Sequence, residues 1–419
     1  MSAKPMTASP DVYDVAVMGA GYAGLMAVLR LARSRDRPRV VLIGASDRFV
    51  ERVRLQECLV TEVAPRISSI SSFLAGTAID FICGRIVSLE AARRRIVVVA
   101  GHRELEIAFD HAIYALGSSI DTDSVSGVAD YAYRLEIGDG PRSAVALRAR
   151  MEATNGQPVR VVIVGGAETG VEIAAEIKSA CPRAEVTMIS RSRCGGFKGP
   201  RVERVVRSEL TSLGVRLLDA EIVAEVRRSQ VVTSSGPSIP HDVSIWSGGL
   251  RSADVARRAS VAVDVENRLL VDANLRSVSH PHILVVGDAA HPVAPTGAPY
   301  RLSAFTALAS GAYAADAILA QSDGRQSRPF SFSTFGQGIA LGLRGVGFFT
   351  YPDDEQRLFI VTGKLARRIR NVVWLVVAVL KLERSLPGFF FWPGRRRVSW
   401  QQANAAMREF SMVPQGDMT

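Results

Sequence analysis

Lysine is scarce in this chain: Lys4, Lys178, Lys198, Lys364 and Lys381 stand against 51 lysines and arginines in total. The net charge of +10 is therefore an arginine charge. Arginine bias of this kind follows genome composition as readily as ligand choice. No interleaved basic–aromatic RNA motif and no zinc finger accompanies it, so nucleic acid is not an expected partner. Attraction to anionic substrates or a membrane surface stays open. Cysteine is also sparse. Cys58, Cys83, Cys181 and Cys194 form no C-x-x-C pair and show no metal-ligand spacing, which argues against a zinc or iron–sulfur centre. A reducing, cytoplasmic setting is the default for such a chain. No long apolar run is present. The Val15–Leu31 stretch is interrupted by Gly19, Gly21 and Gly24, a pattern for strand, turn and helix and not for a membrane span. Met1–Pro10 is polar and predicted to be disordered, and no signal peptide precedes the first strand. Low-complexity sequence and short solenoid repeats are missing. At 419 residues and 47% hydrophobic, two or three globular domains are expected.

What the chain does have is two glycine-rich turns. The first is Val15-Ala16-Val17-Met18-Gly19-Ala20-Gly21-Tyr22-Ala23-Gly24, and the second is Val161-Val162-Ile163-Val164-Gly165-Gly166-Ala167-Glu168-Thr169-Gly170. Each follows a strand-like run and precedes a helical one (Leu25–Arg33 and Val171–Ala180). The first glycine of such a motif makes the turn, the second lets backbone approach a pyrophosphate, and the third lets helix pack on strand. The pyrophosphate then rests on free amides at the positive end of the helix. A single match is weak evidence, because tight turns and helix caps also collect glycine. Here both matches lead to a second apolar strand at one spacing: 25 residues separate Gly19 from Gly44, and Gly165 from Ser190. Two such units in one chain predict two nucleotides held face to face for electron transfer.

The remaining pattern predicts an α/β fold. Asp11–Val17 and Val40–Gly44 read as parallel strands flanking the first helix. Asp47–Gln56 reads as a loop or helix start carrying Arg52 and Arg54. Ile79–Cys83, Arg85–Leu89 and Arg95–Val99 read as strands of a small sheet, and His111–Leu116 as an apolar strand ending at Gly117. Val145–Glu152 reads as helix, followed by a turn at Asn155–Pro158. Ile283–Val286 leads into Gly287-Asp288-Ala289-Ala290, a Pro- and Gly-rich loop, and the helix Ser303–Ala320. The predicted organisation is two Rossmann-like dinucleotide-binding domains, the second inserted in the first, plus a C-terminal region. The boundaries are 11–138 and 251–328 for the first, 139–250 for the second, and 329–419 for the third.

On these motifs the chain resembles the flavoprotein superfamily with two dinucleotide-binding domains, of pyridine nucleotide–disulfide oxidoreductase type. Within it, the chain is similar to the branch of type II NADH dehydrogenases and ferroptosis-suppressor-like quinone reductases. The matching segments are the two turns, Tyr114-Ala115-Leu116-Gly117, Ile245-Trp246-Ser247-Gly248-Gly249, the run Asn274–Pro281 and Leu284-Val285-Val286-Gly287-Asp288-Ala289. The resemblance implies FAD and NAD(P)H as cofactors. Gly19, Gly21, Ala23 and Gly24 would hold the FAD pyrophosphate side, with Ala115, Gly117 and Gly287 around them and Asp288 on the ribityl chain. Asp288 also reads as a turn or helix cap. The helix after Arg301 would aim its N-terminus at the flavin pyrimidine. Arg54 reads either as a charge-assisted cofactor contact or as a solvated loop arginine. The second nucleotide would rest on Gly165, Gly166, Thr169, Gly170 and Gly248. Glu172 would lie near the nicotinamide as the candidate catalytic residue; a Glu early in a helix also fits the helix dipole.

Several positions depart from the family pattern. Gly44 replaces the acid expected for the FAD ribose, with Ser46 or Asp47 as substitutes. Ala167 takes the middle glycine position of the second turn. Ser190 replaces the acid that selects NADH, and Arg191 and Arg193 follow it, a combination that suits the 2′-phosphate of NADPH, with NADH still possible. Disulfide reductases of the superfamily need a paired redox cysteine motif and a C-terminal His. This chain has neither, and no His follows His291. The resemblance therefore implies electron flow from NAD(P)H to FAD and on to a small diffusible acceptor, with quinone leading. The Gln-bearing helix of type II dehydrogenases is absent; the segment reads Ser303–Gly311. A flavin-dependent tailoring reaction on a small metabolite and a flavin-binding redox sensor are the alternatives. At the C-terminus, Val372–Leu380 is apolar between arginines, and Phe389-Phe390-Phe391-Trp392 precedes Arg395-Arg396-Arg397. This fits either peripheral contact with a membrane interface or a core helix with a packed aromatic tail.

Overall fold

The computed structural model describes residues 11–33, 38–59, 66–136, 140–196, 199–293, 302–332, 336–349, 359–371, 375–390 and 401, 402, 404, 405, 407 and 408. Residues 1–10, Arg301, residues 372–374, Phe391, Trp392 and Arg395 to Arg397, named above, lie outside the described residues.

The first unit is built on one mixed sheet. Its order runs Asp80–Cys83, Val40–Gly44, Asp11–Met18, Arg103–Tyr114, Arg95–Ala100, Arg85–Glu90. The strands that carry the apolar runs are parallel: Val15 pairs with Val40 and Met18 with Ile43. The Tyr22–Leu31 helix covers one face, buried along almost its whole length. The predicted strand 111–116 is the end of a longer one, Arg103–Tyr114. Its first half alternates charged and apolar residues and pairs antiparallel with Arg95–Ala100. Its second half is apolar and pairs parallel with Asp11–Met18 and with Ile283–Val285. The alternation is that of a half-exposed strand, and the apolar run that of a strand covered on both faces. Ile283–Val285 thus returns to the first sheet after the whole second unit.

The second unit repeats the plan with five parallel strands, ordered Ala132–Tyr133, Val243–Trp246, Arg160–Val164, Glu185–Ile189, Arg216–Leu218. The Glu168–Ala180 helix follows its glycine turn. Both units are Rossmann-like, the second inserted in the first.

The C-terminal region straddles them. Its antiparallel sheet (Gly336–Leu341, Arg344–Phe349, Ile360–Thr362) sends Ile339, Leu341, Val346 and Phe348 into the core of the second unit. Its Leu375–Ser385 helix sends Val376 and Leu380 into the core of the first. Burying each such side chain contributes about 1.5–3 kcal/mol. A buried ion pair adds direction to this docking. Arg30 Nε of the first-unit helix donates to Glu383 at 2.6 Å, and the same carboxylate accepts from the amides of Gly388 and Phe390 at 2.7 and 2.8 Å. The apolar C-terminal stretch is thus a core helix on the first unit over its described part. Leu386 and Phe389 beside it are exposed.

Candidate active site

The two glycine turns have matching geometry. Gly19 N–H donates to Ile43 O at 2.8 Å and Gly165 N–H to Ile189 O at 2.9 Å, so each first glycine is tied to the strand reached 25 residues on. Both adopt positive φ, +109° and +122°, where a side chain is strained. Both are also closely packed. A Cβ on Gly19 would lie 2.3 Å from Ala115 O, and one on Gly165 2.5 Å from Ser247 Oγ. The third glycines touch the first: a Cβ on Gly24 or Gly170 would lie 1.8 or 1.9 Å from the carbonyl oxygen of Gly19 or Gly165.

The middle position differs in kind. Gly21 has φ −82°, open to any residue, and a Cβ there would meet nothing within 4 Å among the described residues. Neither backbone strain nor packing among the described residues requires glycine at this point, which lies at the N-terminus of the Tyr22–Leu31 helix, without a side-chain cap. Ala167 occupies the matching place with matching angles (φ −82°, ψ −175°), also without a side-chain cap. One methyl group therefore projects into the second cradle.

Beyond the first turn, Gly117 (φ +64°) opens onto free space, and its carbonyl accepts from Ser252 Oγ at 3.1 Å. Ser118 Oγ donates to Asp288 at 2.9 Å. Burial pushes the Asp288 carboxyl upward, against this hydrogen bond and the charge of Arg52. Gly287 packs between the methyls of Ala23 and Ala307, 3.5 Å from each by its ideal Cβ. Ser118, Asp288 and Gly117 thus gather polar groups in the segments that follow two paired parallel strands of the first unit, Arg103–Tyr114 and Ile283–Val285. The long helix of this region is Ala304–Ser322, and Ser303 Oγ caps it by accepting from Thr306 N–H at 3.1 Å.

Ser46 and Asp47, the expected substitutes for the ribose acid, both make local hydrogen bonds. Ser46 Oγ accepts from Arg48 N–H at 3.1 Å. Asp47 accepts from Ser69 Oγ and from the amide and hydroxyl of Ser71, each at 2.9 Å; these bonds hold its carboxyl below the usual range and tie the loop to Ile67–Ser69. An acid at position 44 is sterically disfavoured, because its Cβ would come 2.8 Å from the methyl of Ala20. Arg54 is ion-paired with Glu57, its Nε donating at 2.9 Å. Its neighbour Arg52, not singled out from sequence, donates to Ser118 O at 3.3 Å beside Asp288. The Arg54–Glu57 spacing of three residues was a legible sign that Arg54 has a local partner.

In the second cradle Ser190 is buried against Gly166, whose Cβ would lie 2.6 Å from its own. Thr169 is exposed in the first helical turn. Gly248 has only ordinary contacts, 3.8 Å from Trp246 and Val164 O. Arg193 Nε is bonded to Glu203 at 2.6 Å, whereas the exposed Arg191 projects from the same loop.

Glu172 sits in a dense hydrogen-bond network. It lies in the second turn of the Glu168–Ala180 helix, 3% exposed, and faces the C-terminal region. It accepts from Gln56 Nε2 at 2.6 Å, Ala340 N–H at 2.8 Å, and Arg370 Nε and Nη2 at 2.9 and 3.1 Å. Four donors occupy both oxygens and fix the side chain in place. The residues that make this so, Gln56 and Arg370, lie 116 and 198 positions away, and no local pattern announces them.

One turn further, Glu176 meets Arg367 at 2.9 Å. Burial, with Glu57 and Glu172 nearby, nevertheless raises its carboxyl from 4.5 to about 7. The folded protein thus binds this proton more tightly than the unfolded chain. Stability from this group is full below about pH 4.5 and is lost as pH rises through about 7. Urea unfolding should show wild type losing stability between pH 5 and 8, and Glu176→Gln losing less. Equal slopes would contradict a proton held at Glu176.

Cys58, Cys83, Cys181 and Cys194 are all free thiols. Among the described residues no three His, Cys, Asp or Glu side chains converge as a metal site, and no helix is long and apolar enough to cross a membrane.

A family model described as pyridine nucleotide-disulphide oxidoreductase matches residues 13–311. The chain belongs to this family. The matched span takes in both cradles, Asp288 and Glu172, and ends inside the Ala304–Ser322 helix. An NADH dehydrogenase-like protein of Mycobacterium tuberculosis is 27% identical over 299 residues, covering 66% of this chain and 72% of the relative. A demethylphylloquinone reductase of Synechocystis is 24% identical over 347 residues, covering 79% and 85%. The solved structure of NDH2 from Plasmodium falciparum superposes with a TM-score of 0.73 at 15% identity, covering 98% of this chain and 99% of that one, and so shares its fold.

Proposed function

We propose that this protein is an FAD-dependent NAD(P)H:quinone oxidoreductase. Gly21 carries the reading: it is a glycine that neither its φ nor its neighbours among the described residues require, at a helix N-terminus, in a turn whose build the chain repeats at Gly165–Gly170. Hydride would pass from the nicotinamide to the flavin, which supplies the redox chemistry. The chain's own residues bind and orient. Gly19, Gly21 and Gly24 would seat the pyrophosphate, Asp288 backed by Ser118 would bond the ribityl hydroxyls, and Arg52 would add a cation beside them. Glu172, fixed by Arg370 and Gln56, would act as a positioning residue that sets the second unit against the C-terminal region. A paired redox cysteine motif is missing from the sequence, so the acceptor is a diffusible molecule and not a disulfide. The Synechocystis relative, a demethylphylloquinone reductase by name, favours a quinone. The test is steady-state turnover: NAD(P)H-dependent quinone reduction by the holoprotein supports the reading, and flavin that NAD(P)H reduces but no quinone reoxidises sinks it.

NADPH is the proposed donor. Ser190 presents no carboxylate to repel a 2′-phosphate, and Arg191 is the cation on that loop not committed to Glu203. Losing a charge-assisted hydrogen bond costs roughly 1.5–3 kcal/mol, so Arg191→Ala should raise KM for NADPH by about tenfold or more. KM for NADH should hardly move. A matching rise for both nucleotides would contradict the assignment. We also propose peripheral contact with the inner face of a membrane through exposed Leu386 and Phe389, close in sequence to the exposed Lys381 and Arg384. Flotation with anionic liposomes tests it, and protein left at the bottom of the gradient argues against it.

A further inference from the structure

The loop 190–196, which follows the Glu185–Ile189 strand, is laced to the turn after the neighbouring strand, Arg216–Leu218. Ser190 N–H donates to Leu218 O at 3.0 Å, Glu221 N–H to Ser190 O at 2.9 Å and Ala220 N–H to Ser192 O at 3.4 Å. Ala220 takes φ +57°, a left-handed backbone uncommon for a residue with a side chain and one that collects at functional sites. Asp219 beside it is the hub of the lacing. Its carboxylate accepts from Cys194 N–H at 2.8 Å and pairs with Arg207 at 2.9 Å. The same guanidinium donates to Cys194 O at 3.2 Å. One half-buried ion pair thus grips both backbone polar groups of Cys194. The next amide, Gly195 N–H, donates to Gly166 O of the glycine turn at 2.9 Å. Burial disfavours the Asp219 charge, but the hydrogen bonds from Arg207 and Cys194 outweigh it and hold the carboxyl below the usual range. The Pro200–Ser212 helix supplies Arg207 and also Glu203, the partner of Arg193. The loop is fastened on both sides of Arg191, which is itself exposed.

We propose that Asp219 is a positioning residue for nucleotide selection: with Arg207 it holds the 190–196 loop in the shape that presents Arg191 to the 2′-phosphate of NADPH. The proposal rests on the NADPH reading above. Arginine has a long side chain, so its worth to a phosphate depends on how firmly its backbone is held before the ligand arrives. A loop that takes the competent shape only part of the time weakens apparent affinity by that fraction. The loss falls on the nucleotide that uses Arg191, and NADH carries no phosphate for it. Charge balance points the same way. Arg207 neutralises Asp219, which would otherwise set an anion beneath the loop and repel the phosphate. None of this is local in sequence: Asp219 lies 25 positions beyond Cys194 and 12 beyond Arg207.

Calorimetric titration of the oxidised holoprotein with NADP+ and with NAD+ reads binding apart from turnover. Asp219→Asn should raise Kd for NADP+ by about tenfold, as a fall of the competent loop to about a tenth demands, and Kd for NAD+ by less than about threefold. Arg207→Met keeps the carboxylate but strips its cation, and should weaken NADP+ at least as much. Asp219→Asn added to Arg191→Ala should raise Kd for NADP+ no further than Arg191→Ala does alone, because the first residue acts through the second. A merely structural Asp219 would weaken both nucleotides alike or add its effect to that of Arg191→Ala, and either result overturns the proposal. Wild type that prefers NADP+, with the same preference in Asp219→Asn and Arg207→Met, overturns the role of Asp219 and leaves the NADPH reading standing. Wild type that prefers NAD+ overturns the NADPH reading and the role of Asp219 with it.

Discussion

Gly21→Val is expected to give a folded protein that no longer holds FAD. The added side chain has room among the described residues, since its Cβ meets none of them within 4 Å and the backbone sits at φ −82°. The apoprotein should therefore melt close to the wild-type apoprotein. FAD affinity should fall by about a hundredfold or more, because a branched side chain would stand where the pyrophosphate approaches the helix amides, displacing several charge-assisted hydrogen bonds of roughly 1.5–3 kcal/mol each. Gly24→Ala is the control of opposite kind. Its methyl would lie 1.8 Å from Gly19 O, so it should destabilise the apoprotein itself. Differential scanning fluorimetry of the apoproteins with FAD titration separates the two. Unchanged FAD binding by Gly21→Val would mean that the glycine serves no ligand.

Arg370→Met is expected to be the most damaging single change outside the cradles. Its guanidinium is buried, donates twice to Glu172 and once to Val53 O, and links the C-terminal region to both nucleotide units. Removing it leaves a buried Glu172 carboxylate with only Gln56 and the Ala340 amide. Breaking one side of such a pair costs about 3–5 kcal/mol, more than most surface or even core substitutions. Pairing it with Glu172→Gln should return part of that loss, since the uncompensated charge goes too. Urea unfolding of the single and double variants measures this. Limited proteolysis should show earlier cleavage after residue 336 in the single variant. A loss below about 1 kcal/mol, the range of exposed pairs, would show that the pair is not the latch the geometry describes.

These two residues also mark how far the sequence could be read. Gly21 is legible because its motif is local: strand, turn and helix lie within ten residues, and the physics of each glycine acts on its neighbours in the chain. The 25-residue spacing to Gly44 and Ser190 was legible for the same reason, as it counts one strand–helix–strand unit. Arg370 is different. Nothing within ten residues of it refers to Glu172, and the pairing exists only because the C-terminal sheet packs on the second unit. Asp47 shows the same limit at short range. Its sequence gives no sign that the hairpin it closes brings Ser69 and Ser71 onto its carboxylate. Arg54 differs from Arg52 in sequence by its three-residue spacing to Glu57, and the structure forms that pair.

The first measurement to make is anaerobic titration of the purified protein's flavin with NADPH and with NADH, followed by a quinone. Bleaching of the flavin by NADPH and its recovery on adding quinone are the expected result. A protein that purifies without flavin and takes up none would contradict the two-cradle reading at its root.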